Sequence, residues 1–199
     1  MDNALDIATE FLTDAEIESL GKHLDKYKEL HERDAHQNSF LDFVNHVWPS
    51  FITGNHHKIF ADKLERVANG ELKRLIVNMP PRHTKSEFAS YLFPAWVMGK
   101  SPSTKIIQAT HTAELAVGFG RKVKNLLDSD IYRDVFPKME LAKDAKASGR
   151  WSTNEGGEYY AVGVGGALAG RGANLCIIDD PVSEQDALSP TALDNIYEW

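Results

Sequence analysis

Cysteine is almost missing from this chain, so no disulfide can form within it: the one thiol, Cys176, sits inside the apolar run LCII, where a small buried side chain is a better reading than a metal ligand. Long apolar runs are missing as well. None approaches the roughly 18 residues that suggest a membrane span, and the N-terminus MDNALDIATEFLTDAE is acidic where a secretory leader is basic and then apolar. The expectation is an intracellular protein with no membrane segment, not secreted. Internal repeats and low-complexity tracts are absent too, which argues against a solenoid or a disordered linker. What remains is 199 residues with 42% hydrophobic content, enough for one ordinary domain with a real core.

The net charge of −7 is unevenly distributed. Residues 1–50 carry eleven acidic and four basic side chains and account for all of it, whereas Lys73 to Arg150 holds fourteen basic against seven acidic. That local excess suits a polyanionic ligand, and ordinary solvated surface explains it about as well.

Hydrophobic periodicity divides the chain. Up to about Ser50 it reads as helices, with Thr13 or Asp14 placed to cap LTDAEIESLGKHLDKYKELHERDA, and this acidic segment is expected to be an appendage. An aromatic patch follows, broken at Pro49 and Gly54, and then HKIFADKLERVANG reads as a helix ending at Gly70. From residue 51 onward a second unit is expected. In it LKRLIVNM is predicted as a strand, PPRHTK as a loop, SEFASYLFPAWVMGK as a helix, KIIQATHT as a strand and AELAVGFGRKVKNLL as a helix. GRWSTNEGGEYYAVGV is predicted as a hairpin and NLCIIDDP as the last strand. Strands alternating with helices of 10 to 15 residues predict an α/β fold with a mostly parallel sheet.

The stretch NMPPRHTKSE lacks both glycines of the phosphate-loop pattern G-x-x-x-x-G-K-[ST], with Met79 and Thr84 in their places. The physical parts are nonetheless there: a strand that ends, a short loop, the cation Lys85, the hydroxyl Ser86 and a helix that begins at once. A capping serine beside a solvated lysine is the alternative. Downstream, NLCIIDDP ends an apolar strand in two carboxylates, as nucleotide hydrolases do to hold Mg²⁺ and polarise water. Asp179 and Asp180 beside Pro181 also read as a turn. The pair of motifs, about 94 positions apart in the expected order on two parallel strands, favours the nucleotide site.

The strings RLIVNMPPRHTKSE, KIIQATHTAELAVGFGRKVKNLL and AVGVGGALAGRGANLCIIDDPVSEQDALS together resemble the large terminase subunit of tailed bacteriophages over roughly Leu72 to Ser189. In one branch of that family the loop reads PPR, a variable pair and then KS. The resemblance implies a RecA-like P-loop ATPase of the additional-strand type, using ATP and Mg²⁺ to drive double-stranded viral DNA into a procapsid. Its implied partners are the portal protein, the small terminase subunit and further copies of itself in a ring, a pentamer on the portal, in the host cytoplasm.

Carried over residue by residue, Lys85 would bind the β/γ phosphates within a nucleotide site formed by Pro81, Arg82, His83, Thr84, Lys85, Ser86 and Glu87. Ser86 and Asp179 would hold the metal, and Arg82 would sense the γ phosphate. Asp180 stands where many relatives have glutamate as the catalytic base, with Glu184 a competitor for that role. Thr84 departs from the commoner glycine. A β-branched residue implies an ordinary φ there, and so a loop of slightly different shape. Phe51, His56 and His57 fall where such proteins contact adenine, and Arg171, in the glycine-rich run GVGGALAGRGA, falls where charge sensing or DNA contact is expected. Arg121, Lys122 and Lys124 would touch DNA phosphates or reach a neighbour's nucleotide. Each also has a plainer reading as core, cap or surface.

The C-terminal part of the ATPase core and a nuclease domain are expected to lie beyond TALDNIYEW. Two other functions stay open: another P-loop motor of helicase type, and a degenerate assembly module that binds nucleotide without hydrolysing it.

Overall fold

The computed structural model describes residues 12–143 and 147–199. Residues 1–11 of the expected acidic segment, and Asp144 to Lys146 of the basic stretch, lie outside the described residues.

Helix α1 (Asp14–Asn38) starts at Thr13, whose Oγ1 accepts the Glu16 N–H while the Glu16 carboxylate accepts the Thr13 N–H at 2.8 Å. Every residue from Thr13 to Glu32 is exposed. Only the last turns of α1 are tied down, by Arg33 and Gln37 donating to the carbonyls of Asp134 and Val135 and by Trp96 donating to that of His36. Helix α2 (Phe40–Val47) behaves differently: Phe40, Phe43 and Val44 are fully buried and join the main core with Phe88, Phe93 and Trp96. The aromatic face of α2, before Ser50, is thus buried in the same cluster as residues beyond it.

Helix α3 (Asn55–Ala68) turns His57, Phe60, Ala61 and Leu64 inward at helical spacing and stops before Gly70, whose φ of +76° suits glycine. The next stretch corrects an expectation. In Leu72 to Met79, Leu75, Val77 and Met79 are half-buried and Ile76 is 88% exposed, but the stretch belongs to no strand. A cleft of about 1390 Å³ separates it from the nearest sheet edge, so its period-2 pattern finds no backbone partner at the roughly 4.8 Å spacing a ladder requires.

Past the loop, the expected helix forms as two parts: a π-helical turn (Glu87–Leu92) running into α4 (Phe93–Lys100). Pro94 lacks the N–H that would continue the α ladder, and the wider turn lies immediately before it.

The protein is mixed α/β, with a four-stranded, mostly parallel sheet flanked by helices. The order is β2-β3-β1-β4, with β1 (Lys105–Thr110) parallel to both β3 (Glu158–Gly163) and β4 (Leu175–Ile178). Strand β2 (Arg150–Ser152) runs antiparallel to β3, forming the expected hairpin. Helix α5 (Ala113–Leu127) has the bounds its periodicity predicted; the Thr112 hydroxyl accepts the Leu115 N–H at its start. Together with the short α6 (Asp130–Val135) it connects β1 to the hairpin. One sheet face, with Ile106, Tyr159 and Ile177, backs the main core; the other, with Ile107, Ala109 and Val162, is packed by Leu168 and Trp199, the residue after α7 (Pro190–Glu198).

Candidate functional site

Among the described residues, three non-glycine residues have left-handed backbones: Arg82 (φ 62°), Thr84 (φ 61°) and Asp180 (φ 45°). All belong to the two motifs singled out in the sequence. Such residues cost of order 1–3 kcal/mol each and persist where their surroundings hold them. The ordinary φ expected of Thr84 is thus corrected, since the threonine takes a positive φ of the kind that favours glycine. Its support is local. The Gly54 N–H donates to His57 Nδ1 at 2.9 Å, so the ring's one proton sits on Nε2 and is donated to Thr84 Oγ1 at 2.7 Å. The Thr84 hydroxyl then donates to the His83 carbonyl at 2.6 Å. Burial, reinforced by His56 and His83, lowers the His57 pKa and keeps the ring neutral for this role.

Lys85 leaves the loop and reaches the end of β4. Its Nζ lies 2.6 Å from Asp180 Oδ1 and 3.8 Å from Asp179 Oδ1. The Asp180 bond holds the lysine pKa above its usual value. Asp179 is buried, with its N–H continuing the sheet by donating to the Ala109 carbonyl at 2.9 Å. Its Oδ2 accepts the Ser90 hydroxyl at 2.8 Å, and Gln108 Nε2 donates to Ser90 Oγ at 3.2 Å. Asp180 is exposed, with Lys85 as its ion partner. The two motifs, 95 positions apart in sequence, therefore meet at the mouth of the cleft, whose walls are Leu72 to Pro80 on one side and Ala173 to Pro181 on the other.

The remaining expected residues fall in several places. Ser86 is half-buried on the first helical turn and makes no capping bond. Pro81, Arg82 and His83 are exposed on the loop. Glu87 pairs with Lys122 at 2.7 Å, and that lysine also lies over the Tyr91 and Phe119 rings. Arg121 is exposed and Lys124 half-buried on α5. Of the three residues expected near adenine, His57 is buried behind Thr84, Phe51 packs its ring on those of His57 and Phe88, and only His56 is exposed, 5.7 Å from the His83 ring.

Arg171 lies at the other end of β3, stacked over Tyr160 at 3.8 Å and 3.4 Å from Glu158, which also pairs with Arg150. Glu184 is exposed and makes no hydrogen bond or ion pair among the described residues, where Ser183 and Asp186 cap the short helical turn.

Two participants have no counterpart among the expected site residues. Ser90 is buried on the π-helical turn between the buried Phe88 and Leu92, and Gln108 interrupts the apolar strand KIIQAT. The signal was a polar residue with no polar role inside an otherwise apolar element.

Among the described residues no group of three His, Cys, Asp or Glu side chains converges as a complete metal site. The donors present, Asp179 Oδ1 and the Ser86 hydroxyl, are oxygen ligands of the kind Mg²⁺ takes when phosphates and water complete its shell. Comparison with protein-family models, with curated proteins and with solved structures gave no match, so the functional reading rests on motif and geometry.

Proposed function

We propose that this chain is the ATPase domain of a DNA-packaging motor of the large-terminase type, with a RecA-like P-loop architecture. The observation that carries the reading is the Lys85 ammonium, which begins a helix and is aimed at two carboxylates ending a parallel strand. Anions bind where helix N-termini and strand C-termini meet at one sheet edge. In this reading the backbone of Pro81 to Ser86 cradles the phosphates and Lys85 exchanges Asp180 for the β/γ oxygens. Ser86 and Asp179 hold Mg²⁺, which would neutralise charge on the transferred phosphoryl group. Asp180, freed from Lys85, orients the attacking water, and the exposed Arg82 approaches the γ phosphate. Double-stranded DNA would meet the basic side chains of α5 through its phosphates, a contact without base information that suits a motor moving along any sequence. The portal, the small subunit and further copies in a ring are its proposed partners.

Calorimetric titration of Mg-ATP tests the site. The chain should bind and Lys85→Ala should lose at least about tenfold, or about 1.4 kcal/mol. Equal binding by both proteins would remove the phosphate site from this loop.

One observation favours a second reading. The Asp180 carboxylate is held by Lys85, so a module that binds nucleotide without hydrolysing it also fits. Steady-state ATPase measurements with DNA and procapsids separate the two, since only the motor turns over.

A further inference from the structure

We propose that Ser90 and Gln108 are positioning residues that fix the carboxylate of Asp179 so that a single oxygen faces the cation site. The inference rests on the nucleotide reading above. It starts from proton accounting. An ionised aspartate only accepts, so the one Ser90 hydroxyl proton is committed to Asp179 Oδ2, 2.8 Å away. That leaves the Ser90 oxygen as an acceptor, and Gln108 must present its NH₂ end, which it does at 3.2 Å. The direction of the chain, Gln108 to Ser90 to Asp179, therefore follows from the chemistry of its last member.

Each member is anchored. Ser90 and Gln108 are both fully buried, and Gln108 lies on β1, which is paired along both edges with parallel neighbours. The glutamine remains although its Oε1 has no partner among the described residues, a cost that an apolar residue in the same strand would avoid. With Oδ2 fixed from behind, Asp179 turns Oδ1 toward Lys85 and the mouth of the cleft. Ser86, four residues before Ser90 and separated from it by the start of the wide π turn, is left free of this duty and available to the metal. The two serines of the helix thus divide the work: one would ligate and the other orients the ligand across from it.

The test is the magnesium gain, the ratio of ATP affinity with Mg²⁺ to that with EDTA, measured calorimetrically on the full chain. Ser90→Ala should cut this gain about tenfold and leave the EDTA affinity within about twofold. Ser90→Thr, which keeps the hydroxyl, should restore it, and Gln108→Met should lose about threefold. A role in packing alone would instead lower both affinities together. An unchanged gain in Ser90→Ala, with normal binding by the parent chain, overturns the assignment. If Ser90→Ala fails to fold, an unchanged gain in Gln108→Met overturns it equally. A parent chain that binds no ATP in either condition removes the function and this role together, a result distinct from loss of the role alone.

Discussion

The two edges of the sheet are built on different principles. At one edge β2 and β3 form a hairpin in which the Trp151 and Tyr159 rings stack at 5.0 Å. Its turn is tied by the Thr153 hydroxyl, which donates to the Pro102 carbonyl and accepts the Gly157 N–H. Even the glycine is dictated by contact, since a Cβ on Gly157 would lie 2.1 Å from the Pro102 carbonyl oxygen. At the other edge β4 is bonded on one side only, Ile178 is 60% exposed, and Leu72 to Met79 stands across an open cleft. The hairpin partners are a few residues apart, so closing their loop costs little. The groups flanking the cleft are about a hundred residues apart and meet through one lysine and two carboxylates. The closed edge is held by packing, whereas the open edge brings together Lys85, Asp179 and Asp180, the groups on which the proposed chemistry rests.

Removing Trp151 should give the largest effect. Trp151→Ala empties a fully packed position and should cost about 3–5 kcal/mol in chemical denaturation. Ile178→Ser on the open edge should stay within about 0.5 kcal/mol. Comparable losses at both positions would erase the contrast. Amide exchange reads the same contrast without mutation. The Ile107 and Tyr159 amides, inside the ladder, should exchange only through global unfolding, whereas those of Ile76 and Val77 should exchange orders of magnitude faster because no strand holds them. Slow exchange at Ile76 would mean that Leu72 to Met79 pairs in solution and that the cleft closes.

The closed edge was also the more legible one. Local signals placed α5 to the residue and the hairpin with its glycine turn, and narrowed the first cap to Thr13 or Asp14, because each is decided by neighbours in sequence. The strand expected at Leu72 to Met79 was not decided locally: alternation describes which side chains are buried, and a ladder also requires a partner that periodicity does not supply. Thr84 failed for a related reason. The rule that β-branched residues avoid positive φ is local, and it is overridden by His57, 27 positions away. Lys85 and Asp179 stood out in the sequence as parts of two motifs that the fold brings together, whereas Ser90 and Gln108 looked like stray polar residues until the fold set them side by side.

The His57 support gives the next prediction. Thr84→Ala keeps the Cβ and its strained backbone but loses the bond to His57, and should cost about 1 kcal/mol, measured by denaturation at pH 7.5. The companion variant Thr84→Gly relieves the backbone while losing the same bond, so it should fall between Thr84→Ala and the parent chain. A Thr84→Gly protein weaker than Thr84→Ala would mean that φ at this position is not strained.

The smallest effect is a slope with pH. Both His57 and His36 have pKa values lowered from 6.5, mainly by burial; His36 also faces the His46 ring at 4.3 Å, with Asp42 and Glu32 opposing the shift. A group that resists protonation when folded lets the unfolded chain bind the extra proton. Stability is therefore complete above about pH 6.5 and declines as pH falls from there toward the lower folded values. Protonated His57 would also turn Nδ1 from acceptor to donor, setting it against the Gly54 N–H and loosening the loop at Thr84. Denaturation midpoints between pH 7.5 and 5.5 should therefore fall with acidity in the parent chain. His36→Gln should remove part of that slope and leave the part due to His57. A His36→Gln protein with flat stability over this range would show that His57 accepts its proton as readily folded as unfolded, and that the loop is held at Thr84 by something other than a neutral imidazole.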